Sequence, residues 1–234
     1  MTIGIIGAMD EEIEILKEAI ESRTEKEKGG CLFLEGSIAS QDVIVVKSGI
    51  GKVNAAIATA LLVSDYQPEY VINTGSAGGF HKDLNVGDIV ISTEVRYHDV
   101  DVTAFNYEYG QVPGMPASFK ADPQLIEIAT KAANQVQEVQ VAEGLIASGD
   151  SFMSDAERVA FVTSKFPEML ASEMEAAAIA QTCVRFGVPF VVIRSLSDIA
   201  GKNSQISFEQ FLQTAAKHSA AVVQNILKEL KTIG

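Results

Sequence analysis

Short runs of Val and Ile, separated by stretches with helical period, constrain this chain more than any other feature. They fall at Ile3 to Ile6, Val43 to Val46, Tyr70 to Asn73, Ile89 to Ile91, Leu145 to Ala147 and Phe190 to Ile193. Runs of this kind, without polar alternation, mark strands buried on both faces. Helical period lies between several of them: Ile13, Leu16 and Ile20; Val53 to Val63; Leu125 to Ala133; and Met174 to Phe186. Strands alternating with helices predict an α/β fold with helices packed around the sheet. The last segment is the clearest helix. Phe208, Phe211, Leu212, Ala215, Ser219, Val222, Val223, Ile226, Leu227 and Leu230 form one stripe, and Ser207 with Gln210 predicts a capping box at its start. Its roughly 24 residues would span about 36 Å.

At 234 residues the chain reads as one domain over 1–234. Its 31 Asp and Glu against 18 Lys and Arg give a formal charge of -13, which would repel a polyphosphate, so nucleic acid is excluded as a partner. The start, Met1-Thr2-Ile3-Gly4, lacks a basic segment and a long apolar stretch, and no apolar run reaches membrane-spanning length. A cytoplasmic protein with no membrane partner is expected. Cys31 and Cys183 are too far apart for a Cys-x-x-Cys motif and read as two buried thiols. Residues 98–118, with Gly110, Pro113, Gly114 and Pro116, form a loop too long for a simple turn, which implies function or an interface.

The carboxylates decide the chemistry. Gly7 ends the first strand and Asp10-Glu11-Glu12 opens the following helix. Ligands of open α/β sheets bind at such junctions, but acids there also simply complement a helix dipole. The Gly4 and Gly7 spacing does not fit a dinucleotide fingerprint, and three acids occupy the place of a pyrophosphate. A second junction, Asn73-Thr74-Gly75-Ser76-Ala77-Gly78-Gly79, reads as a small-residue turn that lets backbone approach a ligand. Glu173 and Glu175 enter an Ala-rich helix, and Ser197-Asp198 follows the last apolar strand. If Glu12, Glu175 and Asp198 converge, the set suits cleavage of a sugar–heteroatom bond, with one acid for the leaving group and one base for water, and no metal. His98, Asp99 and Asp101 offer a weaker alternative as a metal site, because alternation in an extended segment would splay them.

Six motifs in order resemble the bacterial 5'-methylthioadenosine/S-adenosylhomocysteine nucleosidases. They are Gly-Ile-Ile-Gly-Ala-Met-x-Glu-Glu at 4–12, Lys-Ser-Gly-Ile-Gly-Lys-Val at 47–53, Asn-Thr-Gly-Ser-Ala-Gly-Gly at 73–79, Tyr-His-Asp-Val-Asp-Val-Thr-Ala-Phe at 97–105, Glu-Met-Glu-Ala at 173–176 and Ser-Asp at 197–198. The resemblance covers essentially the whole chain. It implies the nucleoside phosphorylase/nucleosidase fold, a three-layer α/β/α domain with a mixed, partly barrel-like central sheet. It also implies hydrolysis of the N-glycosidic bond of methylthioadenosine and S-adenosylhomocysteine in methionine salvage, without a cofactor. Carried over by motif, Glu12 is the base that activates water and Asp198 the acid that protonates adenine, with Ser197 orienting it. Glu175 binds the ribose hydroxyls, while Ser76, Gly78 and Met174 line the ribosyl site. Backbone at Phe152 and Met153 holds the adenine, and Met9, Ile50 and Phe208 form the 5'-alkylthio pocket. Phe105 and Pro113 would enter the neighbouring subunit's pocket, which implies a homodimer. Asp10, Ser172, Leu196 and Asn106 depart from the family pattern, the last standing where a loop Gly is usual. Two alternatives stay open: a purine nucleoside phosphorylase of the same fold, and a nucleoside-binding module without turnover. The 5' group also stays open among methylthioadenosine, S-adenosylhomocysteine, 5'-deoxyadenosine and aminofutalosine-type substrates.

Overall fold

The Val and Ile runs pair with one another. In the computed structural model, which describes residues 1–202 and 204–233, β1 (Thr2–Gly7) lies between β4 (Gln41–Lys47) and β5 (Tyr70–Gly79), parallel to both. β5 runs parallel to β10 (Phe190–Ile199) on its other side. From there β10 pairs antiparallel with β6 (Ile89–Tyr97), and β6 pairs parallel with β8 (Val141–Ser148). β8 runs parallel to β9 (Met169–Glu173), which returns antiparallel to the end of β5. These five strands, β10, β6, β8, β9 and β5, therefore close on themselves. β1, β4 and the hairpin of β3 (Cys31–Ile38) and β2 (Glu21–Lys28) extend the sheet outward, and the short β7 (Phe119–Lys120) joins β6.

Helices cover the sheet as the alternation predicts. α6 (Ser204–Ile233) packs on β10 and β5 beside α1 (Asp10–Ala19) and α3 (Pro123–Ala133). α2 (Lys52–Tyr66) and α5 (Ala176–Phe186) pack against each other as the third layer. α4 (Ala156–Lys165) covers a smaller apolar cluster through Val162, with Met153, Phe166 and Met169. The Ala-rich start of α5 is fully buried from Ala176 to Ala180, so small side chains permit close packing. Cys31 and Cys183 are buried and unpaired, as expected.

Several boundaries differ from the sequence reading, each for a physical reason. The expected turn at Thr74–Gly79 is strand, because its backbone pairs with both β10 and β9. α5 begins at Ala176, two residues after the expected Met174, with Glu175 at its N-cap position. The final helix has 30 residues and begins at Ser204, a span of about 45 Å. Ser207 thus lies inside the first turn; its hydroxyl donates to the Ser197 carbonyl at 3.1 Å instead of forming a capping box. Within the stripe, Ala215 to Leu230 is core, whereas Phe211 is 41% exposed. β2, β3, β7, β9 and α4 have no counterpart in the sequence reading. The 98–118 loop is largely irregular, with a single turn of 3-10 helix at Thr103–Phe105. Asn106 ends that turn at φ 63°, a left-handed conformation that Asn tolerates where Gly is usual.

Candidate active site

Glu12 owes its position to helix capping. Carboxylates in a first turn reach back to the free amides of the helix start, and Glu12 Oε2 accepts from Ala8 N at 2.8 Å and Met9 N at 3.3 Å. Its other oxygen faces β5, accepting from Ser76 N at 2.9 Å and Ser76 Oγ at 3.1 Å. Four donors thus converge on a side chain that is 4% exposed, an arrangement suited to an acceptor-only carboxylate. Its neighbour Asp10 points outward instead and pairs with Lys47 at 2.8 Å.

Asp198 is delivered by a strand irregularity. The β10–β5 register shifts between Leu196 and Asp198, which sets Asp198 opposite Gly78. Such bulges re-aim side chains at sites. A Cβ on Gly78 would lie 3.1 Å from Asp198 Oδ2, so the missing side chain makes room for the carboxyl. Asp198 is 3% exposed and accepts from Ser197 Oγ at 2.9 Å. Burial pushes its carboxyl above the ordinary value, partly offset by the Ser197 hydroxyl.

Glu175 sits at the head of α5, with Oε1 accepting from Gly51 N at 2.9 Å and Oε2 lying 3.9 Å from Arg194. Burial, then the neighbouring Glu173 and Glu12 charges, push it up to about 8, against the pull of Arg194. Glu173 is the residue that engages Arg194 directly. Its Oε2 takes the guanidinium and the amides of Glu175 and Ala176, and its Oε1 takes the Ser148 hydroxyl. Arg194 also donates to Asn73 Oδ1 at 2.7 Å, and Asn73 in turn donates to Ile6 O at 2.9 Å. This buried frame ties β1, β5, β9 and β10 together beneath the site. Sequence reasoning named neither Arg194 nor Asn73 as a site residue. The available signal was a lone Arg inside the apolar strand Phe190–Ile199.

Glu12, Glu175 and Asp198 converge on one cavity of about 290 Å³. Ser76, Gly78, Met174, Phe152, Met153, Ser197, Met9, Ile50 and Phe208 line it with them. Phe152 and Phe208 meet edge to face, with centroids 5.8 Å apart. The motifs did not single out Ala8, Ala77, Ser151 or Glu173, nor give Ser172 a pocket role, although all five also line the cavity. Phe105 and Pro113 are outside it; Phe105 is 75% exposed. The alternative metal set disperses: Asp99 holds Lys52, Asp101 holds Thr103, and the ring nitrogens of buried His98 have no hydrogen-bond partner. Among the described residues no group of three His, Cys, Asp or Glu side chains is placed to hold a metal ion.

The Phosphorylase superfamily model matches residues 2–228. A 5'-methylthioadenosine/S-adenosylhomocysteine nucleosidase from Geobacillus sp. (strain WCH70) is 63% identical over 231 residues, covering 99% of this chain and 100% of the relative. The chain belongs to the 5'-methylthioadenosine/S-adenosylhomocysteine nucleosidase family. Solved members of that nucleosidase family share its fold. The Neisseria meningitidis enzyme, in complex with methylthio-immucillin-A, matches with a TM-score of 0.95 at 50% identity, covering 97% of this chain and 99% of that one. The Colwellia psychrerythraea 34H enzyme, in complex with adenine, gives 0.96 at 53% identity, covering 98% and 96%.

Two expected results follow from the nucleosidase pocket. A Cβ at Gly75 would lie 2.5 Å from Glu12 Oε1 and 2.9 Å from Arg194 Nη1. Gly75→Ala should therefore displace Glu12 and lower kcat by about 10²-fold, the scale of a 1 Å misplacement, a change that steady-state kinetics beside a thermal melt would register. Unchanged kcat would mean that the carboxylate's place does not matter. The second concerns pH. Glu175, raised to about 8, holds its proton in the folded protein over a range where the unfolded chain has released it, so its contribution to stability falls as pH rises from about 4.5 to about 8; Asp198, also raised by burial, acts in the same direction. Glu173, held low by the Arg194 charge against its own burial, acts in the opposite sense: its stabilisation is in place above the ordinary carboxylate range and is lost as pH falls below it. Urea unfolding across pH 5 to 8 should show a decline that Glu175→Gln flattens; an identical slope in the variant would contradict the assignment.

Proposed function

We infer that the chain hydrolyses the N-glycosidic bond of 5'-methylthioadenosine and S-adenosylhomocysteine, releasing adenine and the corresponding thioribosyl product, as in methionine salvage. The observation that carries this reading is the convergence of three carboxyl groups on one cavity in three different environments. Asp198, raised by burial, supplies a proton to the purine as the bond to the sugar breaks. Glu12, surrounded by donors, takes the proton of the attacking water. Glu175 meets the ribose hydroxyls, and the positive charge that develops on the ribosyl ring favours its ionised form. No step calls for a metal or a cofactor.

The remaining assignments follow the family resemblance. Ser197 orients Asp198; Phe152 and Met153 hold the base; Ser76, Gly78 and Met174 border the ribose; Met9, Ile50 and Phe208 receive the 5'-thio group. Water rather than phosphate is the nucleophile. Among the described residues, no side chain lining the cavity is a cation, and the nearby Arg194 is already engaged by Glu173. A phosphate would meet carboxylates at the first junction.

The chain works as a homodimer of one-domain subunits, with Phe105 and Pro113 reaching the partner's pocket. The exposed Phe105 supports this, as does a second groove lined by Val53, Val112 and Phe186, of which Val53 is 70% and Phe186 50% exposed. Among the described residues no helix is long and apolar enough to cross a membrane. Two unpaired cysteines suit a reducing cytoplasm. The test is adenine release from methylthioadenosine, S-adenosylhomocysteine, 5'-deoxyadenosine and an aminofutalosine, compared by kcat/KM. Turnover of the first two supports the reading; no adenine from either would overturn it.

A further inference from the structure

Two segments that border the cavity meet a third outside it in a small ionic junction. The first is the turn entering α2, which carries Ile50 into the cavity. The second follows β8 and leads into the wall at Phe152 and Met153, and the third begins the 98–118 loop. Asp99 Oδ2 accepts from Lys52 Nζ at 2.6 Å and from Asp150 N at 3.0 Å. Asp150 Oδ1 accepts from Lys52 N at 2.9 Å, and its Oδ2 lies 3.9 Å from Lys52 Nζ. Asp150 also packs on Gly51, where a Cβ would meet its Oδ1 at 3.1 Å, and Gly51 holds φ 98°. That backbone aims the Gly51 N–H at Glu175 Oε1, 2.9 Å away.

We propose that Asp99, Lys52 and Asp150 are positioning residues: by holding the Gly51 amide in place they set where Glu175 meets the ribose. None of the three lines the cavity. The Lys52–Asp99 pair is short and shielded, with side chains 24% and 16% exposed, while Asp150, 48% exposed, is held through the backbone amide of Lys52. Loss of the Asp150 carboxylate frees the Lys52 amide, and the turn that presents Gly51 loses its anchor. Because Asp150 precedes the adenine wall, the junction also keeps the base side and the ribose side of the cavity in register. Asp99 additionally roots the loop assigned to the partner's pocket.

This rests on the nucleosidase reading, and the experiment separates the two. The dissociation constant of 5'-methylthiotubercidin, a nucleoside analogue with no N7 to protonate, is measured by calorimetry for the wild type, Asp150→Ala, Glu175→Ala and the double variant. Asp150→Ala should weaken binding about 10- to 100-fold, the scale of a charge-assisted hydrogen bond, but less than about threefold in the Glu175→Ala background. Asp150→Asn, which keeps an oxygen for the Lys52 amide, should recover most of the affinity. If Asp150→Ala does not fold, Lys52→Met read through the same cycle takes its place, with the same expected non-additivity. Equal losses in both backgrounds, or no loss, would overturn the junction's role while leaving adenine release by the wild type intact. A wild type that neither binds the analogue nor releases adenine would overturn the nucleosidase reading, and the junction with it.

Discussion

Asp198→Asn should lower adenine release by about 10²- to 10⁴-fold, the usual worth of a positioned general acid. Asn occupies the same volume and keeps the Ser197 contact, but it has no proton to give. Adenine leaves poorly as an anion, so the burden falls on bond cleavage rather than on binding, and KM should move far less than kcat. Folding should not suffer. The buried carboxyl is held above its ordinary value by desolvation, which means that its burial already costs stability, and an amide of the same shape relieves part of that cost. A melting temperature equal to or above that of the wild type, beside a collapsed kcat, is the expected pair of results. A ribosyl substrate with a leaving group that needs no proton should recover much of the lost rate. Near-normal release of adenine by Asp198→Asn would remove Asp198 from the role of acid.

Glu12→Gln should be as damaging to turnover, about 10²- to 10⁴-fold, but with a different companion effect. Here the carboxylate receives donors on both oxygens: the amides of Ala8 and Met9 on one, the amide and hydroxyl of Ser76 on the other. Gln replaces one of those oxygens with an NH₂, which must face a donor whichever way the amide is turned. The cap of α1 is weakened with it, and a lost helix cap costs about 0.5 to 2 kcal/mol. Glu12→Gln is thus expected to lose activity and some stability together, whereas Asp198→Asn loses activity alone. Denaturant unfolding alongside kcat for the two variants distinguishes these signatures. If both behave alike, one of the two environments has been assigned wrongly.

What the sequence revealed of this site depended on how local the signal was. Strands buried on both faces announce themselves as Val and Ile runs, so β1, β4, β5, β6, β8 and β10 were legible. β2 was not, because Glu-Ser-Arg-Thr-Glu-Lys-Glu-Lys is exposed along its whole length and has no apolar face to betray it. The small residues at Thr74–Gly79 look like a turn until their pairing partners on β10 and β9 are known, and those lie about a hundred residues away in the chain. The same holds for the site. Residue types and order brought Glu12, Glu175 and Asp198 together on paper through resemblance, and the fold places them on one cavity. The frame that supports them, Glu173 with Arg194, Asn73 and Ser148, is assembled from four strands; Asn73 and Glu173 stood in the motifs without a role, and Arg194 showed only as a charge within an apolar run. The upward shift of the Asp198 carboxyl was also out of reach of the sequence, since it follows chiefly from burial.

Water as the nucleophile is tested most directly by the identity of the sugar product together with the phosphate dependence of its release. Methylthioadenosine is turned over in H₂¹⁸O with inorganic phosphate present, and the products are weighed by mass spectrometry. One ¹⁸O in the methylthioribose, none in the adenine, and a rate that does not change with phosphate is the result expected of Glu12 acting on water. A ribosyl phosphate product, with release that rises with phosphate concentration, would contradict it.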